Sequence, residues 1–134
     1  MLVVDTNILA HLLIDGDKTD DARTLFGRDP DWRSDSFVLI EFSNVLATRV
    51  RLGMTDAGSA GRYLSEAEKR MPHLVQTPHS IALSIANEFG VTTYDARFLD
   101  AARALGTKLV TEDKRLRKAA PELTVSLDDA LRGC

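Results

Sequence analysis

Four acidic residues stand where a carboxylate is awkward unless it has chemistry to do. Asp5 directly follows the apolar triplet Leu2-Val3-Val4 in "LVVDTNIL", Glu41 interrupts the apolar run "FVLIEFSNVLA", Asp95 lies at the start of "YDARFLDAARALG", and Asp113 closes "LVTED". Taken singly, Asp5, Asp95 and Asp113 are accounted for as well by helix capping as by catalysis, because aspartate is a favoured N-cap. Glu41 is different. Helical spacing puts Phe37, Glu41 and Val45 in one row, with Val38 and Phe42 beside them, and predicts that this face is the buried stripe. An isolated carboxylate there either carries a large desolvation cost or keeps its proton. An ion pair, for instance with Arg49, would resolve this, and so would a cation in a cleft; the second reading is preferred. Four carboxylates converging without a cation would repel one another and hold their protons more tightly. Oxygen donors of this kind suit Mg²⁺ or Mn²⁺, and Mg²⁺ commonly keeps several waters as well. Such a centre can activate water and stabilise the leaving oxygen in phosphodiester hydrolysis.

The elements that must position these residues are legible from apolar period and from punctuation. Strands are predicted at residues 2–4, 32–36, 73–77, 108–111 and 123–126. Helices are predicted at 6–14, about 18–26, 37–52, 56–71, 79–89, 94–105, 113–119 and 127–131, punctuated by Asp15-Gly16-Asp17, Pro30, Gly53, Pro72, Pro78, Gly90, Gly106 and Pro121. Short apolar strands alternating with helices argue an α/β fold with a parallel sheet covered on both faces. In such folds the ligand site lies at the carboxyl ends of the strands, which is where Asp5 and Asp113 fall.

At 134 residues, 44% hydrophobic and 28% charged, the chain suits one domain spanning residues 1–134. A net charge of −3 gives no global signature of nucleic-acid binding, although a local basic patch can suffice. The single cysteine, Cys134, excludes an internal disulfide and a cysteine zinc site, fits a reducing cytoplasm, and is expected to be no more than a chain end. A leader peptide is not visible, and no apolar run approaches the roughly 20 residues of a membrane helix.

The motifs "VVDTNIL", "IEFSNVL", "TTYDARFLDAARALG" and "LVTEDKRL", in this order, together with the closing "SLDDAL", resemble the PIN domain, and more narrowly the VapC-type toxins of type II toxin–antitoxin modules. The resemblance covers nearly the whole chain. It implies a PIN-like fold with a central parallel five-stranded sheet flanked by helices and an acidic pocket at the strand ends. It implies a Mg²⁺- or Mn²⁺-dependent endoribonuclease acting on tRNA or rRNA, a small antitoxin protein that blocks the site, and a homodimer. Carried over by motif, the acidic quartet falls on Asp5, Glu41, Asp95 and Asp113, as catalytic residues and metal ligands, with Asn7 and Thr111 in support. Glu112 departs from the pattern, since many relatives have a small residue there; it is expected to point away.

The mechanism expected from this resemblance is in-line hydrolysis leaving a 5′-phosphate and a 3′-hydroxyl. Asp5 and Asp113 would anchor one or two ions, and Glu41 and Asp95 would complete the shell or orient the water. Seven of the 17 basic residues lie between 97 and 118, and a phosphate-binding patch of Arg49, Arg97, Lys114 and Arg115 is expected from them and from the end of the Glu41 helix. The seven acids from Asp15 to Asp35 are assigned to another surface, and Asp100 to solvent. His11, His73 and His79 share no metal spacing, and Trp32 is expected to pack in the interior. The apolar helix faces at 8–14, 37–46 and 60–64 are candidates for a dimer or antitoxin groove. Other folds with strand-end acids fit less well. A phosphotransfer receiver would show an acidic pair near its first strand and a late Lys-Pro. A haloacid-dehalogenase-type phosphatase would want aspartate at position 7, where Asn7 stands. The remaining alternative is a catalytically inactive PIN-like scaffold or RNA-binding module, which predicts a lost ligand.

Overall fold

The sheet begins with three apolar residues and is organised around them. In the computed structural model, which describes residues 1–133, the order of elements is β1 (Leu2–Val4), α1 (Thr6–Leu13), α2 (Thr19–Arg28), β2 (Trp32–Asp35), α3 (Phe37–Arg51), α4 (Ala57–Arg70), β3 (Leu74–Val75), α5 (His79–Phe89), α6 (Thr93–Leu105), β4 (Leu109–Val110), α7 (Lys114–Ala119), β5 (Thr124–Val125) and α8 (Leu127–Leu131). Cys134, and the expectation placed on it, lie outside the described residues. The five strands are parallel in the order β3-β2-β1-β4-β5. The chain therefore winds outward from β1 through β2 to β3, then returns to the other side of β1 for β4 and β5. That reversal makes a crevice between the carboxyl ends of β1 and β4, the position at which open α/β sheets bind ligands.

Burial explains why β1 is central. Val3 and Val4 are fully buried, pairing with Arg33 of β2 on one side and with Leu109 and Val110 of β4 on the other. Helix α6 lies across β1, β2 and β4 and packs on α5, while α1 packs on α2, α3 and α4. Trp32 is buried as expected, edge-on to Phe26 with ring centroids 5.1 Å apart. The strands β3, β4 and β5 are each shorter than expected, because the residues beyond their two-residue ladders turn at once into caps and loops. Left-handed glycines Gly53, Gly90 and Gly106 stand just beyond α3, α5 and α6, where a positive φ is needed to turn the chain out of the helix. Among the described residues no helix is long and apolar enough to cross a membrane.

Several expectations about individual residues are corrected. The buried stripe of α3 is Val38, Phe42 and Leu46, while Phe37, Glu41 and Val45 form a half-buried row beside it. Adjacent rows of a helix differ by about 100°, so one row faces the core and the next faces the crevice. Asp35 does not belong to a remote acidic surface: it is 2% exposed at the end of β2. Its two oxygens accept the amide protons of Phe37 and Thr77, each at 2.8 Å, tying the start of α3 to the chain beyond β3. Asp100 is not simply solvated, since it accepts a 3.0 Å hydrogen bond from the Thr77 hydroxyl. The faces at 8–14 and 60–64 are largely taken up by the core, which includes Ile8, Leu9 and Leu12 and is flanked by Ala60, Tyr63 and Leu64. Within 37–46 the exposed large apolar side chain is Ile40.

Replacing Asp35 by alanine leaves the Phe37 and Thr77 amides without their acceptor at a buried position. The expected cost is about 2–4 kcal/mol in urea denaturation. A loss below about 1 kcal/mol would show that the staple is not structural.

Candidate active site

The residue after β1 has to end a buried strand and begin a helix, and Asp5 does both. Its Oδ1 accepts the Ile8 amide proton at 3.1 Å, capping α1, and its Oδ2 accepts a hydrogen bond from the Thr111 hydroxyl across the β1–β4 crevice. Thr111 is fully buried, and its hydroxyl in turn accepts the Asp113 amide proton at 3.1 Å. One hydroxyl thus links two acids. Asp113 caps α7, its Oδ1 accepting from the Arg115 and Leu116 amides. Arg117 donates to the Thr111 carbonyl at 2.9 Å and holds the end of β4 from the other side.

Glu41 enters from α3. Its Oε1 accepts a 2.7 Å hydrogen bond from the Thr6 hydroxyl, so the first residue of α1 orients a carboxylate 35 positions away. No ion pair joins Glu41 to Arg49 among the described residues. Asp95 enters from the first turn of α6. The cap there is Thr92, whose hydroxyl accepts the Asp95 amide proton at 3.0 Å, which leaves capping unable to account for the Asp95 carboxylate.

Asp5, Glu41, Asp95 and Asp113 line one cavity of about 430 Å³, together with Thr6, Asn7 and Asn44 among others. None of the residues lining it is basic. The electrostatic consequence is direct. Burial pushes the Asp5 carboxyl up to about 6, with Asp95 and Glu41 adding to the rise and the bonds from Thr111 and Ile8 opposing it. Asp95 is also raised, first by burial and then by Asp113 and Glu41. This donor set, hard oxygens with uncompensated negative charge, fits a divalent cation. As the side chains stand, no three His, Cys, Asp or Glu groups among the described residues are grouped closely enough to share one ion. A magnesium site can use one or two carboxylates and complete its shell with waters.

Glu112 points away from this cavity, accepting the Leu127 amide proton at 2.8 Å and pairing with Lys18 at 3.2 Å. Burial raises its proton affinity, but these two partners outweigh it and the net shift is downward. The four expected phosphate-binding residues are not gathered in one place. Arg115 lines a neighbouring cavity that shares Asp95 and Asp113 with the acidic one, and Arg97 lines another beside Phe37 and Tyr94. Lys114 is exposed at the start of α7. Arg49 lines neither cavity, and its Nε is buried without a hydrogen-bond partner. Two polar groups in the cavity escaped the sequence. Asn44 could have been found, since it stands three residues beyond Glu41 on the same helix face. Thr6 could not, because its contact with Glu41 depends on the tertiary fold.

Residues 2–121 match the family described as PIN domain. The chain is 35% identical over 78 residues to Exonuclease VapC9 of Pyrobaculum aerophilum, covering 58% of this chain and 59% of that protein, so the match spans less than two thirds of the relative. It is 26% identical over 126 residues to Ribonuclease VapC3 of the same organism, covering 91% of this chain and 96% of that one. The crystal structure of PAE2754 from Pyrobaculum aerophilum has a similar fold, with TM-score 0.81 and 23% identity over 98% of this chain and 93% of that one.

Because folding raises the Asp5 carboxyl to about 6 from an ordinary 3.8, the folded state binds more protons than the unfolded chain between those values. Stability therefore falls as pH rises through that window. In chelator, Asp5→Asn, which keeps a capping oxygen, should be more stable than the parent at pH 7–8 by up to roughly 3 kcal/mol. The advantage should vanish near pH 4. Parallel stability curves for the two proteins would overturn the assignment of the raised proton affinity to Asp5.

Proposed function

The chain belongs to the PIN-domain family, and on that premise we propose that it is a Mg²⁺- or Mn²⁺-dependent endoribonuclease, the toxin of a toxin–antitoxin pair. One observation carries the reading: four carboxylates from four separate segments line one cavity to which no basic side chain contributes. The likeness to Ribonuclease VapC3 over most of both chains supports it.

Asp5 and Asp113 would hold the cation, and Glu41 and Asp95 would complete the shell through its waters or orient the attacking water. When bound, the cation supplies Lewis-acid stabilisation of the charge that develops on the phosphate oxygens. The protein's own contribution is placement. Thr111 fixes the Asp5 carboxylate in one rotamer and ties the backbone of Asp113 to it. Thr6 fixes Glu41. Asp95, lying between the acidic cavity and its neighbour, can accept a proton from an attacking water. Asn7, exposed in the cavity, offers an amide donor to a phosphate oxygen. The substrate is RNA of the tRNA or rRNA class. One domain spans the chain, which works as a homodimer and is held inactive by an antitoxin.

Purified protein should cut RNA with Mg²⁺ or Mn²⁺, stop in chelator, and leave 5′-phosphates. Asp5→Asn and Asp113→Asn should each lower the rate by about a hundredfold or more. A circular RNA, which has no ends, should be cut as readily as a linear one; resistance of the circle would make the enzyme an exonuclease. Absence of both Mn²⁺ binding and RNA cleavage would leave a scaffold instead. Thr6→Val should lower cleavage by about tenfold through loss of Glu41 orientation.

A further inference from the structure

Beside the acidic cavity lies a second one of about 260 Å³, and Phe37, Ile40 and Tyr94 line both. Phe37 and Tyr94 are stacked nearly parallel, with centroids 5.1 Å apart and 5° between the planes. Phe37 covers one face of the Tyr94 ring, yet Tyr94 remains 56% exposed. An exposed aromatic ring backed by a second ring is a rigid platform in water, and the apolar face of Ile40, 61% exposed, continues it.

Across the second cavity stands Arg97. Its Nη1 donates to the Thr93 carbonyl at 2.7 Å and its Nη2 lies 2.9 Å from His79 Nδ1. Arginine can only donate, so His79 Nδ1 is the acceptor in this contact. No carboxylate pairs with Arg97 among the described residues, whereas Arg23, Arg33, Arg70, Arg103 and Arg132 each have one. Asp35 lines the same cavity, but both its oxygens are engaged by backbone amides. A held guanidinium that no carboxylate pairs directly among the described residues, beside an open aromatic face and next to the acidic cavity, has the parts that a single-stranded nucleotide needs: a π-surface for the base and a cation for the phosphate.

We propose that Tyr94 and Arg97 form a nucleotide subsite adjoining the acidic cavity, in which an unstacked base of single-stranded RNA lies on the Tyr94 ring while Arg97 contacts the neighbouring phosphate. The subsite rests on the nuclease reading for its substrate class, and its selectivity is for single strands, because a paired base cannot reach the ring. Arg97 acts as a point of attachment and Tyr94 as the specificity element.

The test uses the full chain labelled with 3-fluorotyrosine, which carries two reporters, Tyr94 and the half-buried Tyr63. Tyr63→Phe assigns the signals. Adding a short single-stranded RNA to the Asp5→Asn protein in chelator should move the Tyr94 ¹⁹F resonance and leave Tyr63 in place. In the active protein Tyr94→Ala should raise KM about five- to tenfold with kcat little changed, and Tyr94→Phe should restore it. The Tyr94→Ala penalty should disappear on a substrate made abasic at one position, which a merely structural role would not produce. Arg97→Gln should lower the slope of log affinity against log salt by about 0.7. RNA cleavage with an unmoved Tyr94 resonance and an unchanged KM would overturn the subsite, leave the nuclease reading intact, and assign the aromatic face to a protein contact. A moved resonance without cleavage would uphold the subsite and overturn the nuclease reading. Neither binding nor cleavage would overturn both.

Discussion

A carboxylate buried at the end of the central strand has to be satisfied without a cationic side chain, and much of the site's architecture follows from how that is done. Asp5 is held by one backbone amide from its own helix and by one hydroxyl from the strand that closes the crevice. The hydroxyl belongs to Thr111, and through it the position of Asp113 depends on Asp5. If β4 paired elsewhere, Asp5 would lose its neutral partner and Asp113 its place. These hydrogen bonds offset only part of the cost, so the group keeps a raised proton affinity. The remaining imbalance is what suits the cavity to a cation, since a fully neutralised cluster would have no use for one.

The fold was legible because its signals are local. Glycine and proline punctuate the helices, apolar triplets mark the strands, and alternation of the two restricts the sheet to parallel pairing. The structure has that five-stranded parallel sheet, with the reversal between β1 and β4. Strand lengths were less legible, because a two-residue ladder such as Leu109–Val110 is bounded by its neighbours' register and not by its own composition.

At the site, the four acids could be read because each breaks a local rule, a carboxylate at a strand end or within an apolar helix. What could not be read are contacts made only by the tertiary fold. Asp35 looked like one more member of an acidic surface segment, yet it is among the most buried charged residues and joins the start of α3 to the chain beyond β3 through their amides. Thr6 looked like an ordinary first helical residue, and only the approach of α3 to α1 gives its hydroxyl a carboxylate to orient. The row of α3 that carries Glu41 was placed one row too deep, since Phe37 and Val45 are apolar for a different reason: they wall the cavity. Apolar side chains at a cleft and in a core look the same in one dimension.

The Thr111–Asp5 hydrogen bond spans 106 positions of sequence, and β4 is the element that brings it about. Closing so long a loop carries an entropic cost, and the β1–β4 pairing is one of the long-range contacts that slow folding of such a topology. During synthesis, the ribosome releases the first three acids before the partner strand exists. The cavity is therefore assembled in time as well as in space. A chain that ends before β4 carries three of the acids but neither the fourth nor the enclosure that brings them to one cavity.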